Sequence, residues 1–248
     1  MHGTSNERPV AIVTAFREEF GAVLSRARDA RVRAGFVEAR IGPASVALSM
    51  TGDGAGNAGR VAALLCEKVR PEALLGAGTA GALSADLSVG DLLVSSRVRD
   101  SEGDAPPPDK RLLERALEIS GASAGALLTV ERPIVQAAGK IAHALAFNGA
   151  GSAAADMESA AWARAAASHR VPYLVVRAIT DRAEEDLPEY LARCVGRDGG
   201  IHRPSVVLRA LAQPSTIPAL LDLRRRVHAC SEALAAFLER FLSAAPPS

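Results

Sequence analysis

Two acidic residues and one arginine stand at the ends of adjacent predicted elements in the middle of the chain. Glu158 follows a stretch of small residues and begins an Ala-rich helical segment. Residues 173–176 form an apolar run that is typical of a strand buried on both faces, and Arg177 and Asp181 come directly after it. Ligands of open α/β sheets bind beyond the carboxyl ends of the strands. The spacing therefore predicts that Glu158, Arg177 and Asp181 converge on a single pocket.

Each of these acids also has an ordinary structural interpretation. A glutamate in the first turn of a helix interacts favourably with the helix dipole, and Thr180-Asp181 would suit a helix N-cap. Taken singly, neither acid indicates a function. Two acids and an arginine at neighbouring strand ends, in an apolar setting, favour a site.

A second pair of carboxylates follows the first apolar run of the chain. Residues 9–15 predict a buried strand, and Glu18 and Glu19 lie shortly after it, where a helical pattern begins. These carboxylates are candidates for the same pocket as Asp181. Acids in the first turn of a helix explain the pattern equally well, so both interpretations stay open.

Residues 76–81, GAGTAG, match the G-x-G-x-x-G fingerprint of dinucleotide-binding sites. That fingerprint requires a helix directly after it, so that the pyrophosphate meets a helix N-terminus. Here a turn-like segment containing Gly90 follows, and then a further strand at residues 92–95. The pattern therefore disfavours a nicotinamide cofactor. The Thr79 hydroxyl and exposed N–H groups would still suit ribose, water or an anion.

The remaining elements alternate between strands and helices, which predicts a single α/β domain over residues 1–248 with a central sheet flanked by helices. The predicted elements are a hairpin at 34–50, a Gly-rich loop at 51–57, helices at 58–69, 109–120, 137–146, 204–212 and 217–242, strands at 73–75 and 125–130, a Pro-rich loop at 100–109, and an irregular Gly-rich stretch at 196–200.

Composition excludes several classes of function. The chain has 29 Lys and Arg against 28 Asp and Glu, without a basic run interleaved with aromatics, so it carries no footprint for nucleic acid. Its three cysteines, Cys66, Cys194 and Cys230, lie too far apart for a metal site or a disulfide framework. No signal peptide and no apolar run of about 18 residues is evident, so we expect a soluble cytoplasmic protein without a membrane span.

Five segments, in consistent order between residues 10 and 181, resemble the nucleoside phosphorylase/nucleosidase superfamily, whose members cleave N-glycosidic bonds. They are the first strand with Glu19, the loop at residues 52–57, Gly78-Thr79-Ala80-Gly81 with Val89-Gly90-Asp91, the triplet Asp156-Met157-Glu158, and residues 176–181. The resemblance implies a mixed sheet, partly barrel-like and flanked by helices. The branch of methylthioadenosine/S-adenosylhomocysteine nucleosidases is the most similar.

The resemblance also implies roles for individual residues. Glu158 would bind the ribose hydroxyls, with Met157 packed against the sugar, and Asp181 would deliver a proton to purine N7. Glu19, helped by Arg177 and the region of Thr79, would activate the attacking water. The other expected substrate contacts are Asp156, Gly81, Ile134 and Val135. No cofactor and no metal are implied, and a homodimer is expected.

This chain departs from the nucleosidase branch in three places. Arg17 stands where the branch usually has a further acid, and Ile134 and Val135 stand near the position of a phenylalanine that stacks on the base. The region after Asp181 resembles hopanoid-associated members of the superfamily, which implies an apolar group at the ribose 5′ position. Phosphate would then be the acceptor, with Arg17 helping to hold it.

The sequence thus favours hydrolysis of a purine nucleoside. The alternatives are phosphorolysis of a nucleoside with an apolar 5′ group and a non-catalytic nucleoside-binding module.

Overall fold

The computed structural model describes residues 8–52, 54–119, 121–145, 151–194 and 203–244; the Gly-rich stretch expected at 196–200 lies outside these ranges. The strands are β1 (Val10–Thr14), β2 (Arg28–Arg33), β3 (Phe36–Ile41), β4 (Ala44–Met50), β5 (Ala73–Ala82), β6 (Leu92–Asp100), β7 (Gly103–Asp104), β8 (Ala122–Thr129), β9 (Ala153–Asp156) and β10 (Tyr173–Asp181). The helices are α1 (Arg17–Ser25), α2 (Ala55–Val69), α3 (Lys110–Leu117), α4 (Ala137–Leu145), α5 (Ser159–Ser168), α6 (Tyr190–Arg193), α7 (Arg203–Ala212) and α8 (Ile217–Ser243), and a short 3-10 turn precedes α8.

The sheet has an open part and a closed part. In the open part β1 pairs in parallel with β4 and β5, and β2, β3 and β4 form an antiparallel edge. In the closed part β5, β10, β6, β8 and β9 pair in a ring, because β9 pairs back onto β5. The expected single α/β domain with a mixed, partly barrel-like sheet and flanking helices is therefore confirmed as a fold class.

Helices cover both faces of the open part. Successive side chains of a strand point to opposite faces, and β1 follows this rule. Its residues Ala11 and Val13 join a core cluster with α2 and α5, whereas Val10 and Ile12 join a second cluster with α1 and α8. Because both faces are buried, β1 is apolar except for Thr14 at its end, as the sequence predicts for a buried strand.

The strand predicted at residues 173–176 is longer than the apolar run suggested. β10 continues through Arg177 to Asp181, since it pairs with β5 over that whole length and all nine of its residues are buried. The N-cap interpretation of Asp181 is wrong, because the next helix, α6, begins only at Tyr190. Within the described ranges, no helix is both long enough and apolar enough to cross a membrane.

Candidate active site

Arg177 is the centre of a buried cluster between the middle of β10, the end of β9 and the starts of α1 and α5. Its side chain has no exposed surface. Its Nε lies 3.0 Å from Asp156 Oδ2, and its Nη2 lies 3.2 Å from Glu158 Oε2. The guanidinium also stacks on the ring of Trp162, with its Cζ 4.7 Å from the ring centroid. Parallel β5 and β10 place Arg177 opposite Gly78, in the middle of both strands. The sequence predicts Arg177 directly after the strand, but the strand continues past it to Asp181.

Asp156 fixes the start of α5. Its Oδ1 accepts hydrogen bonds from the Thr129 hydroxyl (2.8 Å) and from the backbone N–H groups of Glu158 and Ser159 (both 3.1 Å). Its Oδ2 accepts from Arg177 and from the Ser159 hydroxyl. The sequence predicts Asp156 as a substrate contact, and it does line the cavity described below. Its oxygens, however, are engaged with protein donors, so it orients Glu158 and Arg177.

Glu158 faces the cavity from the residue before α5. Its Oε2 accepts from Arg177, and its Oε1 accepts from the backbone N–H of Gly54 at 3.2 Å. Gly54 has φ 85°, a backbone conformation that favours glycine. Burial raises the pKa of Glu158 to about 7; Arg177 opposes that rise, and the negative charges of Asp156 and Glu19 add to it. Glu158 does not cap α5 through its side chain.

Glu19 lies in the first turn of α1, as the structural interpretation expects, and its side chain belongs to the Arg177 cluster. Its Oε2 accepts the N–H groups of Ala15 and Phe16, both at 3.0 Å. Its Oε1 accepts the N–H (2.8 Å) and hydroxyl (3.1 Å) of Thr79. Burial raises the pKa of the Glu19 carboxyl group, with Arg177 and these donors acting in the opposite direction.

The glycines of the GAGTAG segment make room for three side chains. A Cβ at Gly76 would lie 2.5 Å from the Trp162 ring, one at Gly78 would lie 2.1 Å from an Arg177 nitrogen, and one at Gly81 would lie 2.8 Å from Asp181 Oδ2. The segment is the second half of β5 and has no helix after it. Its glycines therefore serve close packing, and the match to a dinucleotide fingerprint has no structural counterpart.

Asp181 ends β10 beside a lysine that the sequence analysis missed. Its Oδ2 accepts from Lys140 Nζ at 2.6 Å, and its Oδ1 lies 2.8 Å from the Thr180 hydroxyl. The side chains of Lys140 and Asp181 are only 2% and 6% exposed, so this is a buried ion pair. The available sequence signal was a single lysine within the mostly apolar residues of α4.

One cavity of about 200 Å³ joins these groups. Its polar end includes Thr79, Gly81, Asp156, Glu158, Asp181 and Lys140, and Met157 lies beside them. Its apolar walls include Phe16, Leu83, Val130, Ile134, Leu187, Leu191, Leu223 and Val227. The residues from α6 and α8 had no counterpart in the sequence prediction.

Four predicted residues do not line the cavity. Glu19 and Arg177 lie behind it and contact it through Thr79 and Glu158, which do line it. Val135 is buried, and its carbonyl accepts the N–H of Leu187. Arg17 is exposed to solvent. In the ranges that the structure describes, no group of three or more His, Cys, Asp or Glu side chains is arranged to hold a metal ion.

The arrangement can carry out acid–base chemistry on a small molecule. Carboxylates occupy two separate places, one beside a guanidinium and one beside an ammonium, with an apolar wall between them and solvent. Groups with raised pKa values close to neutral can exchange protons at physiological pH.

A family model and individual relatives of known description assign the chain to the same family. Residues 9–194 match the family model described as the phosphorylase superfamily. The chain is 31% identical over 208 residues to a 5′-methylthioadenosine/S-adenosylhomocysteine nucleosidase of Chromohalobacter salexigens, covering 73% of this chain and 88% of that protein. It is 28% identical over 203 residues to the nucleosidase of the same description from Shewanella pealeana, covering 72% and 86%.

Solved structures agree at the level of the fold. The chain matches a 5′-methylthioadenosine/S-adenosylhomocysteine nucleosidase from Campylobacter jejuni with a TM-score of 0.73 and 22% identity, over 95% of this chain and 99% of that one. The S. pneumoniae enzyme of the same description, solved with a transition-state inhibitor, matches with a TM-score of 0.74 and 19% identity, over 95% and 99%.

Proposed function

Because the chain belongs to the phosphorylase superfamily, we propose that it hydrolyses the N-glycosidic bond of an adenine nucleoside such as methylthioadenosine or S-adenosylhomocysteine. The observation that carries this proposal is the placement of Glu158 and Asp181 on one cavity of nucleoside size. Relatives described as nucleosidases for these two compounds support the substrate class.

The reaction requires help at the base and at the sugar. As the C1′–N9 bond breaks, positive charge develops on the sugar and negative charge on the purine. Asp181 protonates N7 and so neutralises the departing base, a contribution of about 10²–10⁴-fold to the rate. Glu158 accepts hydrogen bonds from the ribose hydroxyls, and its charge stabilises the cationic sugar. Met157 lies beside it and packs against the sugar face.

The acceptor in this proposal is water, with Glu19 as the base. Glu19 lies behind Thr79, whose hydroxyl lines the cavity and donates to Glu19 Oε1. A hydroxyl both donates and accepts hydrogen bonds, so Thr79 can pass a proton from an attacking water to Glu19. Burial raises the pKa of the Glu19 carboxyl group, which makes it a stronger base than an exposed glutamate.

Charge in the site favours water over phosphate. Two like charges about 4 Å apart repel by roughly 4 kcal/mol at an effective dielectric of 20, which a phosphate next to Glu19 would experience. The cations Arg177 and Lys140 are already bound to Asp156, Glu158 and Asp181. Arg17, the residue expected to hold phosphate in the alternative reaction, is exposed.

The second candidate function is phosphorolysis of a nucleoside with an apolar 5′ group, as the resemblance to hopanoid-associated members suggests. One observation favours such a substrate: Leu187, Leu191, Leu223 and Val227, all from the region after Asp181, form an apolar wall of the cavity. A homodimer, which the resemblance implies, belongs to the proposal as well, and so does a cytoplasmic location. The nucleosidase relatives argue against the third alternative, a non-catalytic nucleoside-binding module.

The decisive experiment follows release of adenine from methylthioadenosine by the purified protein, with and without phosphate. We expect cleavage in phosphate-free buffer, with free sugar as the product, and loss of this activity in Glu19→Gln. Glu18→Gln is the matched control, because it changes the neighbouring carboxylate outside the cavity, and it should keep full activity.

Two results would contradict hydrolysis. A rate that rises from near zero as phosphate is added, with sugar 1-phosphate as the product, establishes the phosphorylase. Nucleoside binding without release of adenine in either buffer establishes the binding module.

A further inference from the structure

Lys140 is a buried cation that the proposed reaction leaves without a role. It lies in α4, and its side chain is 2% exposed. Its Nζ donates to Asp181 Oδ2 (2.6 Å), to the Arg182 carbonyl (2.7 Å) and to the Glu185 carbonyl (2.8 Å). All three partners are acceptors, and only an ammonium has three N–H donors. Lys140 therefore carries a positive charge and has no donor left for a substrate.

The hydrogen bonds of Asp181 divide its two oxygens between different tasks. Oδ2 is held by Lys140, whereas Oδ1 faces the Thr180 hydroxyl. That hydroxyl lies 2.8 Å from Oδ1 and 3.2 Å from the Ala80 carbonyl, and it has one proton for the two of them. When the Thr180 hydroxyl donates to the Ala80 carbonyl, it can no longer donate to Asp181 Oδ1. In that arrangement a protonated Oδ1 donates to the Thr180 oxygen.

The site therefore accommodates Asp181 in both protonation states without moving any heavy atom. In the ionised state Thr180 donates to Oδ1, and in the protonated state Oδ1 donates to Thr180. Oδ2 is excluded as the position of the proton, because it already faces an ammonium, which has no acceptor.

We propose that Lys140 is the positioning residue for proton transfer by Asp181: it keeps the transferable proton on Oδ1 and balances the charge left when that proton moves to purine N7. In this step the Oδ1–H turns from Thr180 to purine N7, its O–H bond breaks and the N7–H bond forms. Asp181 becomes a carboxylate, to which the Thr180 hydroxyl then donates, while Lys140 remains an ammonium. The proton that the attacking water releases to Glu19 restores Asp181 through solvent. This inference rests on the proposed nucleosidase activity.

The competing explanation is that Lys140 only clamps the turn after β10. The turn at residues 182–187 is also held from α4 by Asp186, which accepts the N–H of Ala137 (2.7 Å). From α8 it is held by Arg226, which donates to the Glu185 carboxylate (2.8 Å). Arg226 thus holds the same turn without contacting the Asp181 carboxylate or lining the cavity. This makes Arg226→Met a matched control for loosening of the turn.

The test is a double-mutant cycle on methylthioadenosine cleavage with Lys140→Met, Asp181→Asn and the double variant. A group that acts through Asp181 has no further effect once Asp181 cannot donate its proton. We therefore expect Lys140→Met to lower kcat by about 10²-fold with KM little changed, as Asp181→Asn does, and the double variant to be no slower than Asp181→Asn. Arg226→Met should retain kcat within a few-fold of wild type.

Each other outcome overturns the role of Lys140. Full kcat in Lys140→Met would show that the lysine has no role in catalysis. A double variant that is slower than Asp181→Asn by the full effect of Lys140→Met would show that Lys140 does not act through Asp181. A loss of kcat in Arg226→Met equal to that in Lys140→Met would show that loosening of the turn explains the effect. Lys140→Gln, which keeps two N–H donors but no charge, is the second variant in case Lys140→Met does not fold; failure of both to fold makes the lysine purely structural. An inactive wild-type protein would instead overturn the proposed nucleosidase.

Discussion

The Arg177 cluster and the Asp181–Lys140 pair both bury carboxylates, but they balance the charge differently. Around Arg177, the carboxylates of Asp156, Glu158 and Glu19 share one guanidinium. Asp181 instead has one ammonium of its own, that of Lys140. Burial raises the pKa values of both Glu158 and Glu19, and the negative charges of Asp156 and Glu19 add to the rise at Glu158. The cluster can thus take up a proton near neutral pH, which suits groups that accept protons and bind a cationic sugar.

The Arg177 cluster and the Asp181–Lys140 pair also differ in the secondary-structure elements that build them. The Arg177 cluster comes from strand ends and from the first turns of α1 and α5, where backbone positions are fixed by the sheet. The Asp181–Lys140 pair depends on α4 and on the turn after β10. That turn and α8 contribute residues to the apolar wall of the cavity. The Arg177 cluster is therefore tied to the sheet, whereas the apolar wall beyond Asp181 includes residues of helices packed outside it.

The largest effect is expected from Arg177→Met. It would leave three buried carboxylates without their cation, whereas Lys140→Met would leave one. Removing one partner of a buried ion pair typically costs about 3–5 kcal/mol, and Arg177→Met should reach the upper part of that range at pH 7. Urea unfolding of both variants measures the difference. If Arg177→Met lost no more free energy of unfolding than Lys140→Met, the two sites would not differ in charge balance in this way.

The second prediction concerns stability and pH. The pKa of Glu158 is raised from 4.5 in the unfolded chain to about 7 in the folded protein. Its contribution to the free energy of unfolding is therefore full below about pH 4.5 and is lost as the pH rises through about 7, on the order of 3 kcal/mol in total. Glu158→Gln cannot ionise, so the variant should gain stability relative to wild type as the pH rises. Urea unfolding at pH 5 and pH 8 tests this, and parallel changes in the two proteins would contradict it.

The third prediction tests the close packing of Asp181 against β5. A Cβ at Gly81 would lie 2.8 Å from Asp181 Oδ2, so Gly81→Ala must displace the carboxyl group. A misplacement of about 1 Å at a reacting group can cost about 10²-fold, and we expect kcat to fall by up to that factor. Gly59→Ala is the control, because its Cβ would meet only ordinary contacts at 3.5 Å. Unchanged kcat in Gly81→Ala would show that Asp181 tolerates displacement.

The smallest effect is expected on the apolar wall. Leu223 is half-buried in α8, and Leu223→Ala should remove about 1 kcal/mol or more of apolar contact with a substrate's 5′ group. KM for nucleosides with long 5′-alkylthio groups should rise several-fold, with kcat unchanged. Adenosine, which has no such group, serves as the matched substrate. An equal change for both substrates would place the 5′ group elsewhere.

The strand-end half of the site could be predicted from the sequence. Glu158 and Arg177 follow or continue apolar runs, and parallel strands bring such positions to one edge of a sheet. The alternation of elements likewise predicts the α/β class. The extent of β10 was underestimated, because a pattern that stops at Val176 does not reveal pairing with the small residues of β5 through Asp181.

The helix half could not be predicted, because nothing local connects Lys140 to Asp181, 41 residues further along the chain. A single lysine in α4 is typical of a solvated face, and only the tertiary packing buries it. The same holds for Leu223, which lies on a helix whose periodicity gives no indication of a cavity. Closure of the barrel was implied only by the family resemblance, since the register of β9 on β5 rests on two residue pairs.

Trp162 provides an intrinsic fluorescence probe next to the Arg177 cluster. It is the only tryptophan in the chain, it lies fully buried under the Arg177 guanidinium, and its indole nitrogen has no hydrogen-bond partner among the described residues. Indole emission responds to nearby charge. The intrinsic fluorescence of the unlabelled protein therefore comes from directly beneath the Arg177 cluster, and a stopped-flow trace could follow events there during a single turnover.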